Sequence, residues 1–339
     1  MDLQGRSLRL GALIISAALL LRLTGSGFFT PVVRALEQPG VLSFLVYLET
    51  GRIIRLGNTA DALPRPTDDT EPTLSQTPAV PPVTGEAVSF SEKDAAGIVI
   101  KNHTTLRPAP EELITAPLRW DLTADAPTVL IYHTHATESY TRQPGETYEE
   151  SADYRTLDMG YNMVSVGERL AMELEQAGIR VIRDTTLHDY PSYNGSYTAS
   201  RLTVEDYLKM YPSISLVLDL HRDAADDGFG GQIAPAVMTE LGSTAGIMPV
   251  VGTNAAGSTH PNWRGNLSLA LQLCAALERE APGITRGIDL RTGRFNQDLS
   301  AGAMLIEVGA AGNTRQEALN GAMILARAII ALAHGANHA

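Results

Sequence analysis

Three short apolar runs, each ending on a histidine or a glutamate, constrain this chain more than any other feature. The first is Thr128-Val129-Leu130-Ile131-Tyr132, preceded by Asp125-Ala126-Pro127 and followed at once by His133, His135 and Glu138. A continuous apolar run of this length, rich in β-branched residues and bounded by turn-formers, suits a central strand of a parallel sheet. The second, 213–220, stops at His221-Arg222-Asp223, and the third, Ala303-Met304-Leu305-Ile306, stops at Glu307-Val308-Gly309. In open α/β sheets, ligands sit in the crevice beyond the carboxyl ends of the strands. One histidine after one strand is ordinarily structural or superficial; three such strand ends point to a single site.

Helical patterns separate the runs. Met163, Val166, Leu170 and Leu174 recur at spacings of three and four, which predicts an amphipathic helix within 157–176. Gly178 ends it and Arg180-Val181-Ile182 starts a strand, completing a βαβ unit. Further helices are predicted over 197–211, 262–279 and 317–334, and strands over 97–102, 236–238 and 248–252. The alternation predicts an α/β fold with a mixed, mostly parallel twisted sheet and helices on both faces.

Composition narrows the function. The 339 residues carry a net charge of -12 and one cysteine. That length allows one sizeable domain plus extensions. With no Lys/Arg-rich stripe, no nucleic-acid partner is expected. A lone Cys274 excludes a disulfide framework and a thiolate zinc cluster, and its place among Leu267, Leu269, Leu271, Leu273 and Leu277 makes it a buried thiol. No P-loop, dinucleotide turn or Gly-x-Ser-x-Gly elbow occurs, so phosphoryl transfer and serine hydrolysis lack support.

The first third reads as a tether. Arg6 and Arg9 precede an apolar run from Leu10 to Leu21, closed by Arg22. The run is short for a span, but snorkelling arginines and Leu23, Phe28 and Phe29 extend it. An uncleaved single anchor (1–33) is preferred to a cleaved signal peptide because no small-x-small site follows. The arginines would lie in the cytoplasm and the rest outside the membrane. A short apolar juxtamembrane segment occupies 34–56. From 57 to 94, six prolines among Asp, Glu, Thr and Ser predict a disordered linker that cannot bury enough surface to order itself. The globular domain is expected over 95–339.

The motifs IYHTHATESY, DLHRDA, VGTNAAGSTHPNWRGNL and LIEVGAAGN together resemble the stage II sporulation protein P family of peptidoglycan hydrolases. More distantly, the chain is similar to the zinc-dependent N-acetylmuramoyl-L-alanine amidases. The resemblance runs from about Ala96 to near the C-terminus. It implies a zinc amidase-like domain that cuts the N-acetylmuramoyl-L-alanine bond, with peptide cross-links as a further substrate. It also implies action during engulfment, between the forespore and mother-cell membranes, beside stage II sporulation proteins D and M. A zinc hydrolase takes three ligands from His, Asp or Glu and leaves a fourth position open. His135, Glu138 and His221 are the expected ligands. Asp158 is the alternative to Glu138, since the wider amidases place their glutamate near the first helix. Glu307 is the expected catalytic base. His133 is either a further ligand, by period-two alternation, or a residue behind the ligands or on the substrate side. Arg222 either holds a peptide carboxylate or pairs with Asp219 or Asp223. Asp219 is expected to orient an imidazole. His260, Asn262, Trp263 and Asn266 match the family motif and imply a substrate-side wall, Trp263 by stacking. Rival readings are a non-catalytic wall-binding scaffold of the same fold and a carboxypeptidase-like zinc enzyme.

Overall fold

The computed structural model describes residues 88–118 and 120–335. The expected anchor, the juxtamembrane segment and all of the linker before residue 88 lie outside the described residues. No helix among the described residues is long and apolar enough to cross a membrane.

Ordered chain begins before the expected boundary. Helix α1 (Glu92–Ala95) is started by Ser91, whose backbone N–H donates to Asp94 Oδ2 at 2.7 Å. Arg279 lies 4.4 Å over the Phe90 ring and 3.1 Å from Asp94 Oδ1, and Ala95 is buried. The last residues assigned to the linker therefore belong to the packed domain, because they cover apolar surface that the linker composition upstream lacks.

Seven strands form the main sheet, in the spatial order β1 (Ile100–Asn102), β8 (Ile288–Arg291), β7 (Ile247–Gly252), β9 (Ala303–Ala310), β4 (Leu216–Asp223), β2 (Val129–Tyr132) and β3 (Val181–Arg183). Neighbours are parallel throughout except β7 and β9, which are antiparallel. The expected mixed, mostly parallel sheet is present. Strand β8 escaped the sequence because Ile288-Asp289-Leu290-Arg291 alternates with charge instead of running apolar. The strand expected at 236–238 is β5 (Ala236–Thr239), which pairs only with β6 (Gly242–Ala245) as a separate two-stranded sheet.

Alternation along the central strands gives the sheet two unlike faces. Ile131, Leu218, Leu220, Met304, Ile306 and Val308 pack in one large apolar cluster with α3 (Met163–Gln176), α5 (Trp263–Glu280) and α6 (Arg315–Ala331). On the opposite face, Leu130, Tyr132, Val217 and Ala303 pack against Val204, Tyr207 and Leu208 of α4 (Ser196–Met210). Met248, Val250 and Leu305 meet Phe295 on a third, smaller cluster. Counting by twos from Val217 and Leu305 puts Asp219, His221 and Glu307 on the face that carries α4.

Strands β4 and β9 run on through His221 and Glu307 instead of stopping before them, and the two residues are register partners. The register then shifts between His221 and Asp223, a bulge in the ladder. Gly309 sits there at φ +70, where an added Cβ would lie 2.6 Å from Asn313 Oδ1 and 3.0 Å from the Ala245 Cβ. Left-handed backbone and lack of room together require glycine.

Candidate active site

Where the chain leaves β2 decides which histidine reaches the site. His133 keeps the alternation of the strand and stays with Ile131 on the three-helix face. A Cβ on Gly167 of α3 would lie 2.7 Å from its Nε2, so the ring fits against a helix that has no side chain there. Its Nδ1 is 3.1 Å from the Leu220 carbonyl, and burial, partly offset by that carbonyl, brings its pKa down to about 4. Residues 134–137 then form a turn, which ends the period of two and carries His135 to the other face. That turn separates His133 from His135 and leaves His133 on the three-helix face.

His135 and His221 meet edge to face with ring centroids 5.2 Å apart. Glu138 joins them, its Oε2 3.5 Å from His221 Nδ1. On its other side His221 Nε2 lies 3.0 Å from Asp219 Oδ1. Asp219 is fixed in turn by the Thr134 N–H at 2.7 Å and the Thr134 hydroxyl at 2.6 Å. Burial works against protonation of His221, but Asp219 and Glu138 outweigh it and raise its pKa well above the ordinary value. Burial likewise opposes ionisation of Glu138, yet His221 and Arg222 hold its carboxyl down at about 2. For His135 burial dominates despite Glu138 and lowers the pKa to about 4, which leaves a neutral imidazole. Its buried Nδ1 has no hydrogen-bond partner.

Glu307 stands beside His221 on β9, with Met248 opposite it on β7. Its Oε2 is buried without a partner. Burial, against the pull of His221 and with a push from Glu138 and Asp223, raises its carboxyl to about 8. A carboxyl that exchanges its proton near neutrality is suited to general acid–base work.

Of the remaining expected residues, Arg222 borders this cluster and the others lie apart from it. Asp158 is exposed in a turn, accepting from the Gly160 N–H at 2.9 Å. Arg222 is buried, 3.8 Å from Glu138 Oε1, and donates to the carbonyls of Ser139 at 3.1 Å and Tyr154 at 3.0 Å. It braces the loop after β2 and pairs with neither Asp219 nor Asp223. Asn266 donates to the carbonyls of Ser300, Ala301 and Ala303, and Asn262 to that of Asp298. These contacts lie at the start of β9, four residues and about 13 Å of strand from Glu307. Trp263 is half-buried at the first turn of α5, and His260 is buried with both ring nitrogens unpartnered. Asn262 and Asn266 thus brace the entry to β9, at the end of that strand away from Glu307.

Five residues at the site gave no local signal in the sequence. Tyr193 stacks on His135 at 4.4 Å and 11°, Tyr197 meets it edge-on at 5.5 Å, and Phe295 lies 5.8 Å beyond Tyr197. Arg155 and Asp189 approach Glu138 from the loops after β2 and β3. None is near the histidines in sequence, and only the segments after β2, β3 and β8 and the start of α4 bring them together.

A match to the stage II sporulation protein P (SpoIIP) family model covers residues 62–330. The chain belongs to that family. A curated relative, stage II sporulation protein P of Bacillus subtilis (strain 168), is 30% identical over 208 residues, covering 58% of this chain and 48% of that protein. The chain thus matches about half the length of that relative. Among solved structures, an N-acetylmuramoyl-L-alanine amidase from Clostridium difficile 630 is 19% identical with a TM-score of 0.38, covering 61% of this chain and 94% of its own. The amidase AmiC2 of Nostoc punctiforme is 13% identical with a TM-score of 0.35, covering 60% and 94%. At these TM-scores neither likeness bears on the chemistry of the SpoIIP family site.

Among the described residues, no group of three or more His, Cys, Asp or Glu is arranged to hold a metal ion. The donor types suit one, and so does the separation of the two imidazoles. Two imidazoles sharing a tetrahedral zinc at ordinary Zn–N lengths have centroids about 5 Å apart, and His135 and His221 are at 5.2 Å. His221 is instead held between two carboxylates, a place that a cation would also satisfy.

Proposed function

We propose that this domain is a zinc-dependent peptidoglycan hydrolase that cleaves the amide bond between N-acetylmuramic acid and L-alanine, with peptide cross-links as a second class of target. The observation that carries the reading is the meeting of His135, Glu138, His221 and Glu307 on one face of the sheet. His135, Glu138 and His221 would hold the zinc, which when bound supplies Lewis acidity toward the scissile carbonyl and acidifies water. Glu307 takes a proton from the attacking water and returns it to the leaving amide nitrogen. Its raised carboxyl exchanges protons in both directions near neutral pH. Asp219, pinned by Thr134, keeps the His221 ring from turning. Tyr193 and Tyr197 supply aromatic surface at the mouth, suited to a sugar or a stem peptide.

Family membership supports the setting. The enzyme works in the sporulation envelope, tethered by its N-terminal segment to the cell membrane, with the catalytic domain between the forespore and mother-cell membranes. Stage II sporulation proteins D and M are its proposed neighbours.

Two variants test the reading. Glu307→Gln keeps the shape and the zinc ligands but cannot carry the proton, so release of stem peptide from purified sacculi should fall by about 10² to 10⁴. His221→Ala should lose zinc itself, since two remaining ligands rarely retain it against buffer. Muropeptide mass spectrometry identifies the bond cut. Near-normal release by the Gln variant would remove Glu307 from its role. Wild-type protein that binds sacculi but does not cut them even when supplied with zinc would favour a wall-binding scaffold.

A further inference from the structure

The loop between β3 and α4 reaches the site at two points. Tyr193 stacks on His135, and Asp189 controls the surroundings of Glu138. The Asp189 side chain is fully buried. Its Oδ2 accepts from the Thr137 hydroxyl at 2.6 Å and from Arg155 Nη1 at 2.6 Å, and its Oδ1 from the Thr137 N–H at 3.2 Å. Arg155 then donates through Nη2 to Glu138 Oε1 at 3.2 Å. One carboxylate thus fixes the backbone immediately before Glu138 and, through the guanidinium, one of its two oxygens. The other oxygen accepts from the Arg222 N–H at 3.4 Å and faces His221 at 3.5 Å.

Charge makes this arrangement specific. A lone arginine beside a cation site repels the cation, and its presence needs a compensating gain. Pairing with Asp189 neutralises most of that charge while leaving an N–H free to hold Glu138. The planar fork spans two carboxylates at once, which a lysine ammonium on its flexible stem does not reproduce. Arg155 is only partly exposed, so water competes weakly for these bonds.

We infer that the Asp189–Arg155 pair is a positioning unit for Glu138 and sets the metal affinity of the site. The inference rests on the proposed role of Glu138 as a ligand. The test compares full-length wild type, Arg155→Lys and Asp189→Asn. Zinc affinity is read by competition with a chromophoric chelator, ligand geometry by the absorption spectrum of the cobalt-loaded protein, and folding by melting of chelator-treated protein. Partners behind a metal ligand commonly contribute about 10- to 100-fold in affinity. Arg155→Lys should therefore bind zinc about 10- to 100-fold more weakly with an altered cobalt spectrum and a melting point close to wild type. Asp189→Asn should weaken binding at least as much, and it decides the matter alone if Arg155→Lys fails to fold. Wild-type affinity and an unchanged spectrum in Arg155→Lys would overturn the inference while leaving the zinc reading intact. So would a fall in melting point with no spectral change, which marks a general brace. A wild-type protein that takes no zinc brings down both.

Discussion

Each of β2, β4 and β9 serves two faces with opposite demands. On one, Leu218, Leu220 and Ile306 are fully buried beneath three helices. On the other, one residue along, Asp219, His221 and Glu307 lie beside a single helix and an open rim of tyrosines. The apolar face gains free energy from burial. The polar face loses some, because buried carboxyls and imidazoles are removed from water. Tight packing on one side thus holds the backbone that places reactive groups on the other.

Substitutions that separate the faces should show it. The largest effect on stability is expected for Leu218→Ala, where the loss of a fully buried side chain should cost about 2–5 kcal/mol. Denaturant melts should register this while turnover per folded molecule stays close to wild type. A collapse of turnover without loss of stability would show the faces to be coupled through Asp219.

Next comes the cost of keeping Glu307 buried. Its folded pKa of about 8 lies above the ordinary 4.5. The folded state therefore retains a proton that the unfolded chain releases between those values. The contribution of Glu307 to stability is most favourable below the lower value and is lost as pH rises through the higher one. In chelator-treated protein, Glu307→Gln should thus melt above wild type at alkaline pH, by an amount on the order of a few kcal/mol or less, with the gain shrinking toward acid pH. A gain that grows toward acid pH would reverse the assignment.

The smallest effect belongs to the close approach of α3. Gly167→Ala would place a methyl 2.7 Å from His133 Nε2 and 3.3 Å from Ile131 Cγ2. Overpacking of this kind costs about 1–3 kcal/mol. Thermal unfolding measures it, and no change in zinc affinity is expected, since His133 faces away from the site.

Much of this was legible in the sequence, for identifiable reasons. Apolar runs announced β2, β4 and β9, and the spacing of Met163, Val166, Leu170 and Leu174 announced α3. Strand parity sets Asp219 and His221 on one side, and Glu307 joins them only through the register of β9 with β4. What escaped depended on distant parts of the chain. The turn at 134–137, which separates His133 from His135, replaces an alternation that local pattern alone would continue. The stretch from His260 to Asn266 begins a helix at either end of a sheet equally well, and only the direction of β7 against β9 places it away from Glu307. Asp189 and Arg155 reach Glu138 through loops whose paths no periodicity encodes.

The pairing of β4 with β9 joins Val217 to Ala303 and Asp223 to Ala310, neighbours in space across a long excursion of chain that includes β5 to β8 and α5. Synthesis runs through that excursion before the last strand exists. A chain emerging from the ribosome, or threading across a membrane, therefore carries His135, Glu138 and His221 well before it carries Glu307. Glu307 arrives last, with the strand that also joins β7 to β4 in the sheet. On the proposed reading, an unfinished copy holds the expected ligands but lacks the expected base, and hydrolytic competence would wait until the domain is whole.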